Sequence, residues 1–253
     1  MGTWISHLRI AENLLAHIPG LDEAAFAYGN LAPDSGVPNA DWSAFDPPKT
    51  VTHFLNEGEG EGRIRDLEFY RQYLADPNLT TDRANYSFRL GYFFHLICDN
   101  LWALRIWHPC QRAHAADYAE NAAKFVEAVK KDWYGLDHKY LRENPASLFW
   151  RVLLPSPNPP AYLPFVPEAA LHQQFNYIKN YYDKEREPAV ERPYPYLNAT
   201  MMARHVADST AAILHIHRAL AEQPLSEATP TTVAFLPKRE VPVYESPLGD
   251  VTN

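Results

Sequence analysis

One stretch limits this chain more than any other. From Tyr86 to Trp107 it reads Tyr-Ser-Phe-Arg-Leu-Gly-Tyr-Phe-Phe-His-Leu-Ile-Cys-Asp-Asn-Leu-Trp-Ala-Leu-Arg-Ile-Trp. It holds no proline and is apolar almost all the way round a helical projection, the mark of a helix at the centre of a globular core. Its length raises a membrane-spanning reading, but Arg89, His95, Asp99 and Arg105 inside it argue against one. His95 and Asp99 stand at i and i+4, side by side on one helical face. An ionised carboxylate buried there is costly unless it is paired or bound to a metal. The spacing alone leaves two readings open: the pair bond to each other, or they share a cation.

Around this segment the pattern is helical. Thr3 can cap a helix from about Trp4 to Ile18, whose apolar positions Leu8, Ala11, Leu14, Leu15 and Ile18 share a face with His7. Asp22 caps a short helix through Phe26 and Tyr28. The turn-rich Gly29-Asn-Leu-Ala-Pro-Asp34-Ser-Gly36 follows, then an irregular Pro-rich segment ending at Thr52-His53-Phe54 and an acidic Glu-Gly loop. Further helices are expected over 66–74, 114–133 with Asp132 at its end, 168–187 with Pro167 at its start, and 199–222 capped by Asn198. No segment alternates like a strand. The expected fold is all-α, a single-domain multi-helix bundle over residues 1–222. A Pro-rich tail, 223–253, is expected to be extended over the surface or disordered.

Charge narrows the function. The formal net charge is −8 and no block of Lys or Arg is present, which disfavours duplex nucleic acid and anionic lipid surfaces at long range. A phosphate-bearing substrate would need local positive charge, which bound metal ions could supply. Two cysteines, Cys98 and Cys110, make no disulfide framework. The first residues lack the basic and apolar regions of a signal peptide, so a cytoplasmic location is expected.

The residues that could carry chemistry are His7 on the first helix, Asp34 in its tight turn, His53 at the end of its loop, and His95 with Asp99. Imidazole and carboxylate together suit zinc or a similar cation. Singly, each has a plainer reading: an inward histidine hydrogen-bonded in the core, or a standard turn aspartate. Weaker constellations include His205 with Asp208, read as a core or surface hydrogen bond, and Tyr177 with Tyr181 and Tyr182, read as core and cleft wall.

The segments Ser6-His7-Leu-Arg-Ile-Ala, Gly29-Asn-Leu-Ala-Pro-Asp34-Ser-Gly, Thr52-His53-Phe and Gly91-Tyr-Phe-Phe-His95-Leu-Ile-Cys-Asp99 together resemble the zinc-dependent phospholipase C family. Its members are all-helical enzymes related to the S1/P1-type nucleases, with up to three zinc ions in a cleft. The resemblance implies that Asp34, His53, His95 and Asp99 hold one zinc. It implies that Asp99 bridges to a second ion held by His7, and that Asp34 acts as general base toward the attacking water. One or two Zn2+ ions are therefore expected.

The chain also departs from the family pattern. An N-terminal Trp whose amino group is a ligand has no evident counterpart before His7, so the ion at His7 is expected to bind weakly. The histidine expected six residues beyond the bridging aspartate is Arg105, which could reach a substrate phosphate instead, with His108 the nearest alternative ligand. The His-x-x-x-Glu pair of a further site is missing, leaving Asp132 as a substitute ligand. The expected function is that of a zinc-dependent phosphodiesterase acting on a small-molecule phosphoester or phospholipid headgroup. The alternative is a non-catalytic helical binding or scaffold protein with a structural metal site.

Overall fold

The computed structural model describes residues 1–41, 43–59, 62–183, 190–222 and 228–236. Its first helix, α1 (Trp4–Leu15), starts where Thr3 Oγ1 accepts the Ser6 N–H at 3.2 Å, and buries Ile5, His7, Leu8, Ala11 and Leu14. Asp22 caps α2 (Glu23–Gly29), and a 3-10 turn, Ala32–Asp34, follows. A two-residue antiparallel ladder pairs β1 (Val37–Pro38) with β2 (Phe45–Asp46), and α3 (Lys49–Thr52) and α4 (Asp66–Tyr73) come next.

The apolar segment is α5 (Arg83–Trp102), started by Asp82 and continued by a π-helical turn, Ala103–Trp107. Every residue from Leu90 to Ala103 is buried, so α5 is the axis of the bundle, as its all-round apolar character requires. α2 crosses it closely. A Cβ on Gly29 would lie 2.0 Å from the Phe88 carbonyl oxygen, and one on Gly91 would lie 2.4 Å from that of Phe26. Each glycine thus makes room for the other helix's backbone.

Beyond the π-turn come α6 (His108–Ala113), α7 (Ala115–Glu120), α8 (Ala122–Glu143), α9 (Glu168–Asp183) and α10 (Ala199–Glu222). The expected helix over 114–133 is therefore two helices, divided at Asn121, which caps α8 by accepting from Lys124 N–H at 3.0 Å. Asp132 lies inside α8, not at its end. The fold is all-α, with one two-residue ladder among the described residues. Both cysteines are buried and no disulfide joins them. No helix among the described residues is long and apolar enough to cross a membrane.

Part of the Pro-rich tail packs on the bundle. Asp66 accepts from Thr232 N–H at 2.7 Å and from Thr232 Oγ1 at 2.8 Å, and Thr232 is fully buried. The remainder of the expected extended tail, 237–253, lies outside the described residues, as do 223–227.

Candidate metal centre

Four short segments aim their polar ends at one buried point. α1 carries His7 one turn beyond its cap. The turn after α2 ends on Asp34. α3 terminates at His53, whose N–H donates to Lys49 O at 2.8 Å. α5 contributes His95 and Asp99 from one face. Tyr92, also on α5, donates its hydroxyl to the Thr52 carbonyl at 2.6 Å and so holds the end of α3 against the central helix. Phe54 follows in the left-handed region at φ 53°, turning the chain away directly after His53.

The imidazoles are oriented by their far nitrogens. The Asn30 carbonyl can only accept, so His95 Nδ1, 2.8 Å away, carries a proton, and in the neutral ring Nε2 is the atom left with a lone pair. His53 Nδ1 lies 2.9 Å from Thr52 Oγ1. The rings of His7 and His95 stack in parallel with centroids 3.9 Å apart.

The near atoms converge without bonding one another. His7 Nε2, His53 Nε2, His95 Nε2 and Asp99 Oδ2 are all buried and have no hydrogen-bond partner. His53 Nε2 lies 3.4 Å from Asp34 Oδ1 and 3.5 Å from Asp99 Oδ2, His95 Nε2 lies 3.4 Å from Asp99 Oδ2, and His7 Nε2 lies 3.3 Å from Asp99 Oδ1. Ligands of a tetrahedral zinc, each about 2.0 to 2.1 Å from the ion, stand roughly 3.3 Å from one another. The donor set and its spacing therefore fit zinc, whereas buried atoms left without partners would be costly.

Two overlapping groups arise: His7, His95 and Asp99, and Asp34, His53 and His95, with ligand atoms in each within 4.8 Å of one another. The two oxygens of Asp99 face different sides of this cluster. Oδ1 faces His7 and accepts the Gly2 N–H at 2.8 Å, and Oδ2 faces His53 and His95.

Protonation follows from burial and charge. Burial, reinforced by His95 alongside, lowers the His7 pKa to about 4 and favours the neutral form that metals bind. Burial alone would raise Asp99, but His95, His53 and His7 outweigh it and hold the carboxyl well below its usual range. Asp34 behaves likewise: burial opposes ionisation, and His53, His95 and Lys49 overcome it. His95 is raised, because Asp99 more than cancels the effect of burial.

The remaining predicted site residues lie elsewhere. Asp132 is taken up by Arg192 Nη1 at 2.8 Å and the Tyr196 N–H at 2.7 Å. Arg105 sits in the π-turn, buried against Ser209 of α10 with Nη1 3.3 Å from Oγ, and does not line the cleft over the cluster. His108 stands beside Gly62, where a Cβ would be 3.5 Å from Nε2. None of the three joins the convergent groups. His205 is buried edge-on to Trp102, while Asp208 faces Arg204 at 3.7 Å, so these two are not a pair.

Sequence reasoning missed Trp4, whose Nε1–H donates to Asp34 Oδ2 at 3.0 Å. The available signal was its place one helical turn before His7 at the start of α1. Above the cluster opens a cleft of about 410 Å³, lined by Trp4, Asp34, Lys49, Lys130, Tyr134 and Tyr177 among others. Tyr181 lines it too, whereas Tyr182 turns inward to donate to Asp137 Oδ2 at 2.6 Å.

Against known proteins, the model of the zinc dependent phospholipase C family matches residues 6–144, more than half of the 253-residue chain. The matched region contains all five convergent residues and reaches beyond α5 to the end of α8. No curated protein and no solved structure matches.

Proposed function

The chain belongs to the zinc-dependent phospholipase C family, and from that membership we propose that it hydrolyses phosphodiester bonds with zinc held by His7, Asp34, His53, His95 and Asp99. The substrate is a small phosphoester or a phospholipid headgroup that enters through the cleft. The observation that carries this reading is the convergence of four buried, partnerless ligand atoms at zinc-like separations.

Bound there, zinc would supply Lewis-acid polarisation of a phosphoryl oxygen and lower the pKa of water. The protein's own groups do the rest. The Asn30 carbonyl and the Thr52 hydroxyl fix the rings of His95 and His53 through their Nδ1 atoms and turn both Nε2 atoms toward the cluster. Asp99 spans both sides of the cluster and balances cationic charge inside the core. Asp34 is the one ligand carboxylate on the cleft wall, and its side chain is 11% exposed. Its depressed pKa keeps it in the proton-accepting form at neutral pH, although the same depression limits its strength as a base. Trp4 holds Oδ2 still, so Asp34 can orient water in line with the scissile P–O bond. The water oxygen forms the new bond to phosphorus as the bond to the leaving oxygen breaks, one water proton passes to Asp34, and the leaving alkoxide takes a proton from solvent, to which Asp34 returns its own. The products are a phosphomonoester and an alcohol.

Elemental analysis with turnover of bis(4-nitrophenyl) phosphate tests the reading. Purified protein should carry zinc, and His95→Ala should lose both metal and hydrolysis. Zinc retained with no turnover of any phosphodiester would favour the alternative, a helical scaffold with a structural metal. Activity persisting in metal-free protein would move the chemistry elsewhere.

A further inference from the structure

The cleft above the cluster carries two ammonium groups that are not metal ligands, one of which, Lys49, also favours the ionised form of Asp34. Among the described residues Asp34 is the only carboxylate on its wall, and that carboxylate belongs to the proposed ligand set. Two lysines line the same wall: Lys49 at the start of α3 and Lys130 on α8. Lys49 Nζ stands 3.2 Å from Met1 Sδ and 5.3 Å from the Phe45 ring centroid. Among the described residues neither lysine has a carboxylate at ion-pair distance. Six aromatic residues, Trp4, Phe45, Trp133, Tyr134, Tyr177 and Tyr181, share the wall with small and polar ones. Trp4 meets Tyr177 and Tyr181 edge-on at 6.0 and 6.1 Å, and those two tyrosines stack at 6.1 Å.

The charges can be counted. One zinc dication cancels Asp34 and Asp99, and a phosphodiester brings one negative charge. Two ammonium groups then exceed what the diester neutralises, and a second zinc would widen the excess. A cationic headgroup would meet two like charges and, among the described residues, no carboxylate outside the proposed ligand set. Lys49 is half-buried and its ammonium acts at a lower effective dielectric than one in open water, whereas Lys130 reaches the cleft from an exposed position; hydrogen bonds from charged donors to phosphate are among the stronger ones.

We infer that this cleft selects phosphodiesters whose headgroup carries a second anionic group, a further phosphate or carboxylate, over those carrying a quaternary ammonium. Lys49 and Lys130 are the specificity-determining residues. The inference rests on the zinc-hydrolase reading above and adds the substrate class. The second anion can be presented on a lipid or on a soluble diester, because the same two ammonium groups read either.

The test uses zinc-loaded full-length protein and four diesters: dihexanoyl phosphatidylinositol, its inositol-phosphorylated form, and the deacylated counterpart of each. Dihexanoyl phosphatidylcholine is the cationic control. Phosphomonoester release is followed by phosphorus NMR. Within each pair, KM for the phosphorylated member should be roughly tenfold lower, with kcat within about twofold. The choline diester should be the poorest. A preference confined to the acylated pair identifies a lipid substrate, and one shared by both pairs identifies recognition of the headgroup alone. Lys130→Ala and Lys49→Ala should raise KM of the phosphorylated members selectively, and Lys130→Arg should restore most of the difference. Equal KM values within each pair, or a preference for choline, would overturn the inference. Bis(4-nitrophenyl) phosphate separates the two failures. Its turnover without charge preference refutes only the selectivity, whereas no turnover of any diester refutes the hydrolase reading. In that second case, calorimetric binding of the deacylated pair to zinc-loaded protein still decides: equal affinities overturn the selectivity as well.

Discussion

At Trp4 one indole proton connects the cleft to the candidate metal centre. Its hydrogen bond to Asp34 Oδ2 is 3.0 Å long, and the other Asp34 oxygen faces His53 at 3.4 Å. Trp4→Phe keeps an aromatic ring against Tyr177 and Tyr181 but removes the donor. Groups that orient a metal ligand are worth roughly 10- to 100-fold. The variant should therefore retain stoichiometric zinc by elemental analysis while kcat on bis(4-nitrophenyl) phosphate falls about tenfold or more. Loss of zinc in step with activity would mean that Trp4 merely packs the site. The five convergent residues could be singled out by local pattern, helical i, i+4 spacing for His95 and Asp99, a turn for Asp34, a loop end for His53 and an inward helix face for His7, while their joint reading as ligands came from the family resemblance. Arg105 and Asp132 were not readable in the same way. Their surroundings come from Ser209 and from Arg192 and Tyr196, on chain remote in sequence, and no local pattern announces such pairings.

Between elements, the contact of α2 with α5 sets the register of the site. Because Gly29 and Gly91 let the two backbones touch, the Asn30 carbonyl at the end of α2 comes within 2.8 Å of His95 Nδ1. A methyl group on Gly91 meets the Phe26 carbonyl oxygen at 2.4 Å, and neither rigid backbone can yield without separating the helices. Gly91→Ala should cost roughly 1 to 3 kcal/mol in urea unfolding of metal-free protein, and should also weaken zinc binding in a chelator competition as Asn30 withdraws. Destabilisation with unchanged zinc affinity would show that the centre does not depend on this crossing. The apolar run disclosed α5 itself, but Gly91 within it disclosed nothing about its partner. The same limit misplaced the end of α8. Trp133-Tyr-Gly135 resembles a helix stop, yet Gly135 lies within the helix, because a Cβ there would meet Arg192 Nη2 at 2.9 Å and the Tyr194 ring at 3.0 Å. A glycine kept for close tertiary approach looks, in sequence, like a glycine kept for a turn.

Across the whole molecule, zinc and protons should act on stability at separate places. Zinc held by the proposed residues would tie α1, the Asp34 turn, α3 and α5 together, so chelation should lower the melting temperature; free zinc at about 100 times Kd corresponds to about 2.7 kcal/mol. Protons act on Asp137, a carboxyl on α8 that joins three helices. It accepts from Thr3 Oγ1, at the cap of α1, at 2.7 Å and from the Tyr182 hydroxyl on α9 at 2.6 Å. Burial raises its pKa to about 7 in spite of these two donors, against about 3.9 in an unfolded chain. Asp66, buried beneath Thr232, is raised in the same sense to about 6. With a raised carboxyl, the folded state keeps its proton where the unfolded state has lost it. Stability from this source is then complete below about pH 4, declines as pH rises toward 7, and stays level above. Asp137→Asn supplies a permanently neutral group of the same shape, and the Thr3 and Tyr182 hydroxyls can turn to meet its amide. In metal-free protein, the variant's urea midpoint should fall less steeply than the parent's between pH 4 and 7. The difference between them should grow by up to roughly 4 kcal/mol over that window and then hold constant. A difference that does not change with pH would mean that the two hydroxyls keep Asp137 ionised, and that α1, α8 and α9 meet around a buried charge.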